Sequence, residues 1–85
     1  MQIFYTARFL RSLRKLSPDI KEDVAVALER FEQRENHKQL KLHKLSGRMK
    51  KYHAFSVNYR YRVVVKMETH NRAYCMDIGT HDVYQ

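Results

Sequence analysis

The chain has 85 residues, of which 17 are Lys or Arg and nine are Asp or Glu, so its formal net charge is +8 at pH 7. This length predicts one small domain, residues 1–85, and an apolar content of 44% suits a folded globule rather than a disordered chain. No apolar run is long enough to cross a membrane and a single cysteine excludes an internal disulfide, so we expect a cytoplasmic protein without a membrane partner.

The first third of the sequence predicts a short strand followed by a helical hairpin. Residues 2–5 form the strand, and Thr6 can cap the first helix, whose apolar residues recur at helical spacing: Phe9, Leu10, Leu13 and Leu16. Ser17 and Pro18 suit the end of that helix and the start of a second one, which we expect over residues 18–35. The apolar stripe of the second helix consists of Ile20, Val24, Ala27, Leu28 and Phe31.

The rest of the sequence predicts three strands after a connecting segment. Three leucines are expected to anchor that segment, which ends in a turn at residues 46–47: Leu40, Leu42 and Leu45. Apolar and polar residues then alternate, which predicts strands over residues 49–57, 59–67 and 73–79. The fold class is therefore α+β, with element order βααβββ and a helical hairpin packed on one face of a mainly antiparallel sheet.

Residues 36–67, called the basic segment below, include nine Lys and Arg residues and no Asp or Glu. Without internal counter-charges this segment should carry a strongly positive field, which favours a nucleic acid, a ribosome or an acidic protein as partner. Alternation along the middle strand places one set of residues under the helices: Tyr61, Val63, Val65 and Met67. We expect the face that the helices leave open to gather four other residues: Lys51, His53, Arg60 and Arg62.

An open basic face with His, Arg and Tyr suits a metal-free reaction on RNA phosphodiesters. Histidine can take a proton from a ribose 2′-hydroxyl or give one to the leaving oxygen, arginine can hold the phosphate, and tyrosine can stack on a base. Plainer interpretations are surface histidines at 43 and 53, salt-bridge partners at Arg60 and Arg62, and tyrosines that pack. The five histidines are too dispersed to predict a metal site. These residues support a basic nucleic-acid-binding domain, and a ribonuclease is one candidate.

Several segments carry a resemblance that covers nearly the whole chain. They are Tyr52 with residues 56–57 (SV), and residues 3–10 (IFYTARFL), 13–16 (LRKL), 43–47 (HKLSG), 61–65 (YRVVV) and 78–84 (IGTHDVY). In order and spacing they resemble the RelE/ParE superfamily of bacterial toxin–antitoxin toxins, and within it the RelE and YafQ group of mRNA interferases. The resemblance implies the compact α/β fold of microbial ribonucleases. It also implies cofactor-free mRNA cleavage by 2′-hydroxyl attack, in many members only on codons in the ribosomal A site.

The resemblance implies catalytic roles for four positions, to which the YafQ group adds a fifth. His53 falls where RelE-type toxins have a catalytic lysine, although a second such lysine position holds Phe55 in this sequence. Arg62 matches the phosphate-binding arginine of the family. His81 matches a position that is arginine in RelE-type and histidine in YafQ-type members, and Tyr84 resembles the C-terminal aromatic residue.

The YafQ group adds one match and two departures. His43 matches a functional histidine of that group, whose further histidine and aspartate positions hold Ser56 and Arg60 in this sequence. The assignment of base and acid therefore stays open, with His81 as the first proton-transfer candidate and His53 as the second. The expected substrate-binding cations are Lys44, Arg48, Lys50, Lys51 and Arg60.

The implied partner is a cognate antitoxin, whose acidic helix or strand should cover Arg62 or displace Tyr84. Two other functions remain open at this point. The same fold carries ParE-like toxins, which inhibit DNA gyrase without an enzymatic activity, and it could equally serve as an inactive RNA- or ribosome-binding module. Titratable groups at His53, His81 and Tyr84 favour the nuclease, because a protein that only binds has no need of them.

Overall fold

The computed structural model describes residues 1–84, with the side chain of Tyr84 outside that description. Within those residues the chain forms, in order, β1 (Gln2–Tyr5), α1 (Ala7–Arg14), α2 (Pro18–Phe31), β2 (His43–Lys44), β3 (His53–Ser56), β4 (Arg62–Thr69) and β5 (Arg72–Gly79). The strands form one sheet in the order β1-β5-β4-β3-β2, in which β1 is parallel to β5 and the other pairs are antiparallel. The predicted α+β class and mainly antiparallel sheet are confirmed, with one strand, β2, added to the predicted order.

Side-chain caps determine where both helices begin. The Thr6 hydroxyl accepts a hydrogen bond from the Phe9 N–H at 3.1 Å, and the Ser17 hydroxyl accepts one from the Ile20 N–H at 3.4 Å. The Thr6 hydroxyl also donates to the Cys75 carbonyl at 2.8 Å, which ties the start of α1 to β5. Both predicted caps are confirmed.

The second helix ends at Phe31, four residues before its predicted end. The His37 ring stacks on the Phe31 ring at 4.7 Å, and its Nε2–H donates to the Phe31 carbonyl at 2.8 Å. The Asn36 side-chain amide donates to the Arg30 carbonyl at 3.1 Å. These two side chains satisfy carbonyls at the helix end, so the chain leaves the helix and continues as a short 3-10 turn, Arg34–Asn36.

Two strand boundaries differ from the prediction because short turns replace the expected strand ends. Gly47 has φ +63°, which favours glycine, and it opens a 3-10 turn, Gly47–Met49, so β3 begins only at His53 instead of residue 49. The next strand begins at Arg62 instead of residue 59, because residues 57–61 form the hairpin loop. The expected anchors Leu40 and Leu45 are buried, and Leu42 is half-buried.

The sheet carries an apolar cluster on each face. The larger cluster lies between the sheet and the helices, where the rings of Phe31 and Phe55 stack at 4.4 Å. Val63, Val65 and Met67 belong to it, as predicted. A smaller cluster lies on the opposite face, called the far face below, and consists of Leu45, Ala54 and Val64 with Met49, Tyr52, Met76 and Val83 packed against it. The face that the helices leave open is therefore partly covered by the chain itself.

None of the helices among residues 1–84 combines the length and the apolar composition that a membrane span requires.

Candidate functional site

The sheet register places His53 on the helix side, which contradicts the prediction that it joins Arg62 on the open face. His53 pairs with Val65, and Phe55 pairs with Val63, so all four side chains point toward the helices. Phe55 is fully buried, and this explains why a hydrophobic residue occupies a position that holds a lysine in RelE-type toxins. The apolar Phe55 was the sequence signal that could have assigned His53 to this face.

The ring of His53 is half-buried, and its Nδ1 atom is buried without a hydrogen-bond partner among the described residues. Burial lowers the pKa of His53 below its usual value, and the electrostatic interactions with Lys44 and His43 lower it further. The ring is therefore neutral at neutral pH, on the face opposite Arg62.

His43 lies on the far face, because it pairs with Ala54 of the smaller cluster. Its Nδ1 lies 2.8 Å from the Lys41 carbonyl oxygen. A carbonyl can only accept, so Nδ1 carries the proton and the lone pair of the neutral ring is on Nε2. Lys41 has φ +58°, a conformation that is strained for a residue with a side chain, and this conformation directs its carbonyl to His43. The contact fixes the tautomer that can act as a base.

Arg62 also lies on the far face, where it pairs with Ser56 on one side and Gly79 on the other. One terminal nitrogen, Nη1, donates to the Asn58 carbonyl at 2.8 Å and to the Tyr61 carbonyl at 3.0 Å. These bonds hold the half-buried guanidinium against the β3–β4 loop. The Nε and Nη2 groups have no partner among the residues that the structure describes, so they can donate to a phosphate.

The hairpin loop that holds Arg62 is built around Asn58. The Asn58 Oδ1 atom accepts from the backbone N–H of Arg60 at 2.9 Å and from that of Tyr61 at 2.8 Å. Its Nδ2 atom donates to the Asp23 carboxylate at 3.1 Å, which ties the loop to α2. The sequence predicts a turn here, but nothing in its pattern reveals that this turn positions the arginine.

The C-terminal turn, His81–Tyr84, folds over the far face close to Arg62. It begins two residues after Gly79, the partner of Arg62, and its Val83 packs into the smaller cluster. A side chain at position 79 would meet Val83, since its Cβ would lie 3.3 Å from that of Val83. His81 is exposed at the start of this turn. The side chain of Tyr84 is outside the described part of the chain, so its predicted role stays a prediction.

Three of the predicted catalytic positions therefore belong to one face of the sheet: His43, Arg62 and the turn that carries His81. This group is called the far-face site below. Strand spacing puts the Cα atoms of His43 and Arg62 about 12 Å apart, a distance that two long side chains and one phosphate group can bridge. His53, by contrast, lies on the other face of the sheet and is not part of the far-face site.

The predicted substrate-binding cations are exposed, but they do not converge on one point. Arg48, Lys50 and Lys51 lie in the connection before β3, and Arg60 lies in the loop after it, so the strand separates them by about 13 Å. Lys44 pairs with His53 and shares its helix-side face.

Within residues 1–84, none of the basic segment's Lys and Arg side chains forms a salt bridge, which contradicts the salt-bridge interpretation of Arg60 and Arg62. Their positive field is uncompensated at both ends of the far-face site.

The tyrosines divide between packing and exposure. Tyr52 packs against the far-face cluster and Tyr61 is half-buried, whereas Tyr59 at the tip of the hairpin loop is 93% exposed. Tyr59 is therefore the described tyrosine best placed to stack on a base.

Two other kinds of chemistry find no support in the described residues. Cys75 is buried, and burial raises the pKa of its thiol to about 12, so it cannot act as a thiolate nucleophile near neutral pH. No group of three His, Cys, Asp or Glu residues within 1–84 is arranged to hold a metal ion. The far-face site offers imidazole and guanidinium groups instead.

Solved structures identify the fold, whereas sequence comparison does not. No protein-family model and no curated protein sequence matches the chain. YafQ from E. coli superposes with a TM-score of 0.68 at 17% identity, covering 96% of this chain and 94% of YafQ. The chain has the RelE/ParE-type toxin fold. The HP0894 protein from Helicobacter pylori, described as a conserved hypothetical protein, gives a TM-score of 0.74 at 15% identity and covers 96% of each chain.

The RelE-like fold also occurs in solved toxin–antitoxin complexes. A chain of the YoeB–YefM complex from Staphylococcus aureus gives a TM-score of 0.72 at 13% identity, covering 95% of this chain and 97% of the other. Identities this low establish the arrangement of helices and strands, and the predicted RelE-like fold is thereby confirmed. They transfer no activity, which has to be argued from the far-face site.

Proposed function

We propose that this protein is the toxin of a type II toxin–antitoxin pair and a metal-independent endoribonuclease that cleaves mRNA on the ribosome. The observation that supports this most is the far-face site, in which His43, Arg62 and the His81 turn share one sheet face of a RelE-like fold. The uncompensated cations on both sides of the site suit the path of an RNA strand. The chemistry needs a base, an anion-binding group and an acid, and the site supplies candidates for all three.

The first half of the reaction is the attack of the ribose 2′-oxygen on phosphorus. His43 takes the 2′-hydroxyl proton on Nε2, because its Nδ1–H is already donated to the Lys41 carbonyl. The 2′-oxygen then forms a bond to phosphorus. The Nε and Nη2 groups of Arg62 donate to the non-bridging oxygens and stabilise the negative charge that builds there. The loop around Asn58 holds the guanidinium in place before the substrate arrives.

The second half is departure of the 5′-oxygen. The bond between phosphorus and that oxygen breaks, and protonated His81 gives its proton to the leaving oxygen. The products are a 2′,3′-cyclic phosphate and a free 5′-hydroxyl. The base has gained one proton and the acid has lost one, so the reaction needs no metal, oxidant or external nucleophile.

Histidine variants test these roles by primer extension on mRNA translated with purified ribosomes. His43→Ala and His81→Ala should each lower the cleavage rate by about 10²-fold or more, the typical contribution of one proton-transfer group. His53→Ala should have a smaller effect, because His53 lies on the other side of the sheet. His70→Ala is the matched control, since His70 is exposed in the β4–β5 turn.

Two results would contradict this proposal. A His53→Ala variant that loses as much activity as His81→Ala would place the reaction on the helix side. Intact mRNA together with inhibition of DNA supercoiling by gyrase would instead support a ParE-like toxin.

We also propose a cognate antitoxin as partner, supported by the YoeB–YefM structure, which is a toxin–antitoxin complex. Since the basic segment lacks carboxylates, the antitoxin should present an acidic helix or strand to it. Co-expression with the adjacent short reading frame, followed by purification and growth measurements, tests this. A co-purifying protein that neutralises toxicity through a basic segment would contradict it.

A further inference from the structure

A cavity of about 270 Å³ lies on the far face beside the proposed cleavage site. Its lining is mostly apolar and comes from the connection before β3, β4, β5 and the C-terminal turn: Met49, Tyr52, Val64, Met76 and Val83. Drug-sized ligands occupy somewhat larger pockets, so this volume suits one planar ring system rather than a whole nucleotide. Aromatic and thioether side chains are good partners for the face of such a ring.

One edge of this cavity is polar, and its polar groups are a carboxylate and a guanidinium from different elements, Asp77 and Arg8. The Asp77 Oδ1 atom accepts from the Ser12 hydroxyl at 2.6 Å and from the Ile78 N–H at 2.8 Å, which fixes the carboxylate. Its Oδ2 atom has one partner among the described residues, the Nε–H of Arg8 at 3.2 Å. The side chain of Arg8 is 74% exposed and that of Asp77 only 19%. Such an exposed ion pair is weak and can rearrange around a ligand.

The polar edge of the cavity can distinguish among the four RNA bases by their hydrogen-bonding groups. The Asp77 carboxylate, which accepts hydrogen bonds, lies beside the Arg8 guanidinium, which donates them. Guanine alone presents two adjacent donors, N1–H and the N2 amino group, next to a carbonyl acceptor, O6. Adenine, cytosine and uracil each offer a single donor group on that edge.

We propose that this cavity, named the base pocket below, binds a guanine base of the RNA substrate, with Asp77 accepting from N1–H and the N2 amino group and Arg8 donating to O6. The ring lies between the side chains of the apolar lining. Val64 in the pocket and Arg62 in the far-face site are two residues apart on the same strand face, about 7 Å. The pocket therefore holds the base of a nucleotide next to the cleaved phosphate, and in this sense it rests on the proposed function.

Binding of mononucleotides to the intact protein tests the base pocket without requiring cleavage. Guanosine 5′-monophosphate should shift the amide NMR signals of Val64, Met76, Asp77 and Val83. It should bind about 10-fold or more tightly than the adenosine, cytidine and uridine monophosphates, the discrimination that one bidentate contact provides. Because all four ligands carry the same phosphate, the comparison isolates the base.

Paired variants separate recognition from folding. Asp77→Asn should abolish the preference for guanine, with Asp19→Asn, an exposed carboxylate of α2, as its control. Asp77 also holds Ser12, so a destabilised protein could mimic this result. Arg8→Met removes the O6 donor from an exposed position and should lower affinity for the guanine ligand only, with Arg11→Met on the same helix as its control.

The outcomes distinguish this proposal from the cleavage proposal. Equal affinities for the four mononucleotides, or shifts confined to the exposed Lys and Arg residues, overturn the base pocket. Selective guanine binding by a protein that leaves mRNA intact keeps the pocket and overturns the nuclease. Cleavage without any preference for guanine beside the cut, together with unselective binding, keeps the nuclease and overturns the pocket.

Discussion

His53 shows how one buried atom constrains both stability and function. Its Nδ1 is buried without a partner among the described residues; burial lowers the pKa of His53, and the interactions with Lys44 and His43 lower it further. Protonation would place a charge beside Lys44 on the helix side of the sheet. The folded protein therefore resists a proton that the unfolded chain accepts near pH 6.5.

This difference predicts how stability depends on pH. Because the folded-state pKa is lowered, the unfolded state binds more protons, so the free energy of unfolding should fall as the pH drops below about 6.5. His53→Gln, which does not titrate, should lose this part of the pH dependence. Urea unfolding between pH 7.5 and 5 measures the effect, with His70→Gln as the exposed control. An unchanged slope in His53→Gln would show that the ring titrates normally in the folded protein.

At the scale of elements, the β3–β4 hairpin holds the Arg62 side chain in place. Asn58 organises its loop through three side-chain hydrogen bonds, and its carbonyl accepts from the arginine. The arginine therefore depends on a residue that contacts no substrate in the proposed mechanism.

Asn58→Ala should separate positioning from contact. We expect it to cost about 1–3 kcal/mol of stability, because two backbone N–H groups lose their acceptor. It should also lower kcat for RNA cleavage more than it raises KM, since Arg62 would still carry its charge but no longer be held in place. Asn71→Ala in the other hairpin turn is the control. Thermal unfolding measures the first effect and cleavage kinetics measure the second, and an Asn58→Ala variant with full cleavage activity would contradict this positioning role.

The elements also show what the sequence could and could not predict. Helix starts followed from the local capping residues Thr6 and Ser17, and the buried stripe followed from periodicity, because both depend on neighbours along the chain. The prediction that His53 lies on the open face was wrong, because alternation along a strand separates two sets of residues without saying which set lies under the helices. No sequence pattern points to the base pocket, because Arg8 and Asp77 meet only through the pairing of β1 with β5.

At the scale of the whole molecule, the main feature is the excess of positive charge. The formal net charge is +8, and the basic segment has no salt bridge within the described residues. The proposed binding to RNA should therefore release counterions and weaken steeply with salt.

Arg60→Gln should reduce that salt dependence by about 0.7 in the slope of log K against log [KCl], the value for one lost phosphate contact on a single strand. Arg60 is exposed in the loop beside Arg62, whereas Arg14 at the end of α1 lies outside the basic segment and serves as control. Titration of a short single-stranded RNA at several salt concentrations gives the slope. Equal slopes for the two variants would mean that the RNA follows another path.

The parallel pairing of β1 with β5 has a consequence for the order in which the chain can fold. β1 has its hydrogen-bonding partner about 70 residues later in the chain, and the start of α1 is tied to that same partner through Thr6. β1 therefore stays without its strand partner until β5 has been synthesised. The core between the sheet and the helices, to which Cys75 and Ile78 of β5 belong, is completed only at that point, so folding of the whole domain awaits the synthesis of β5.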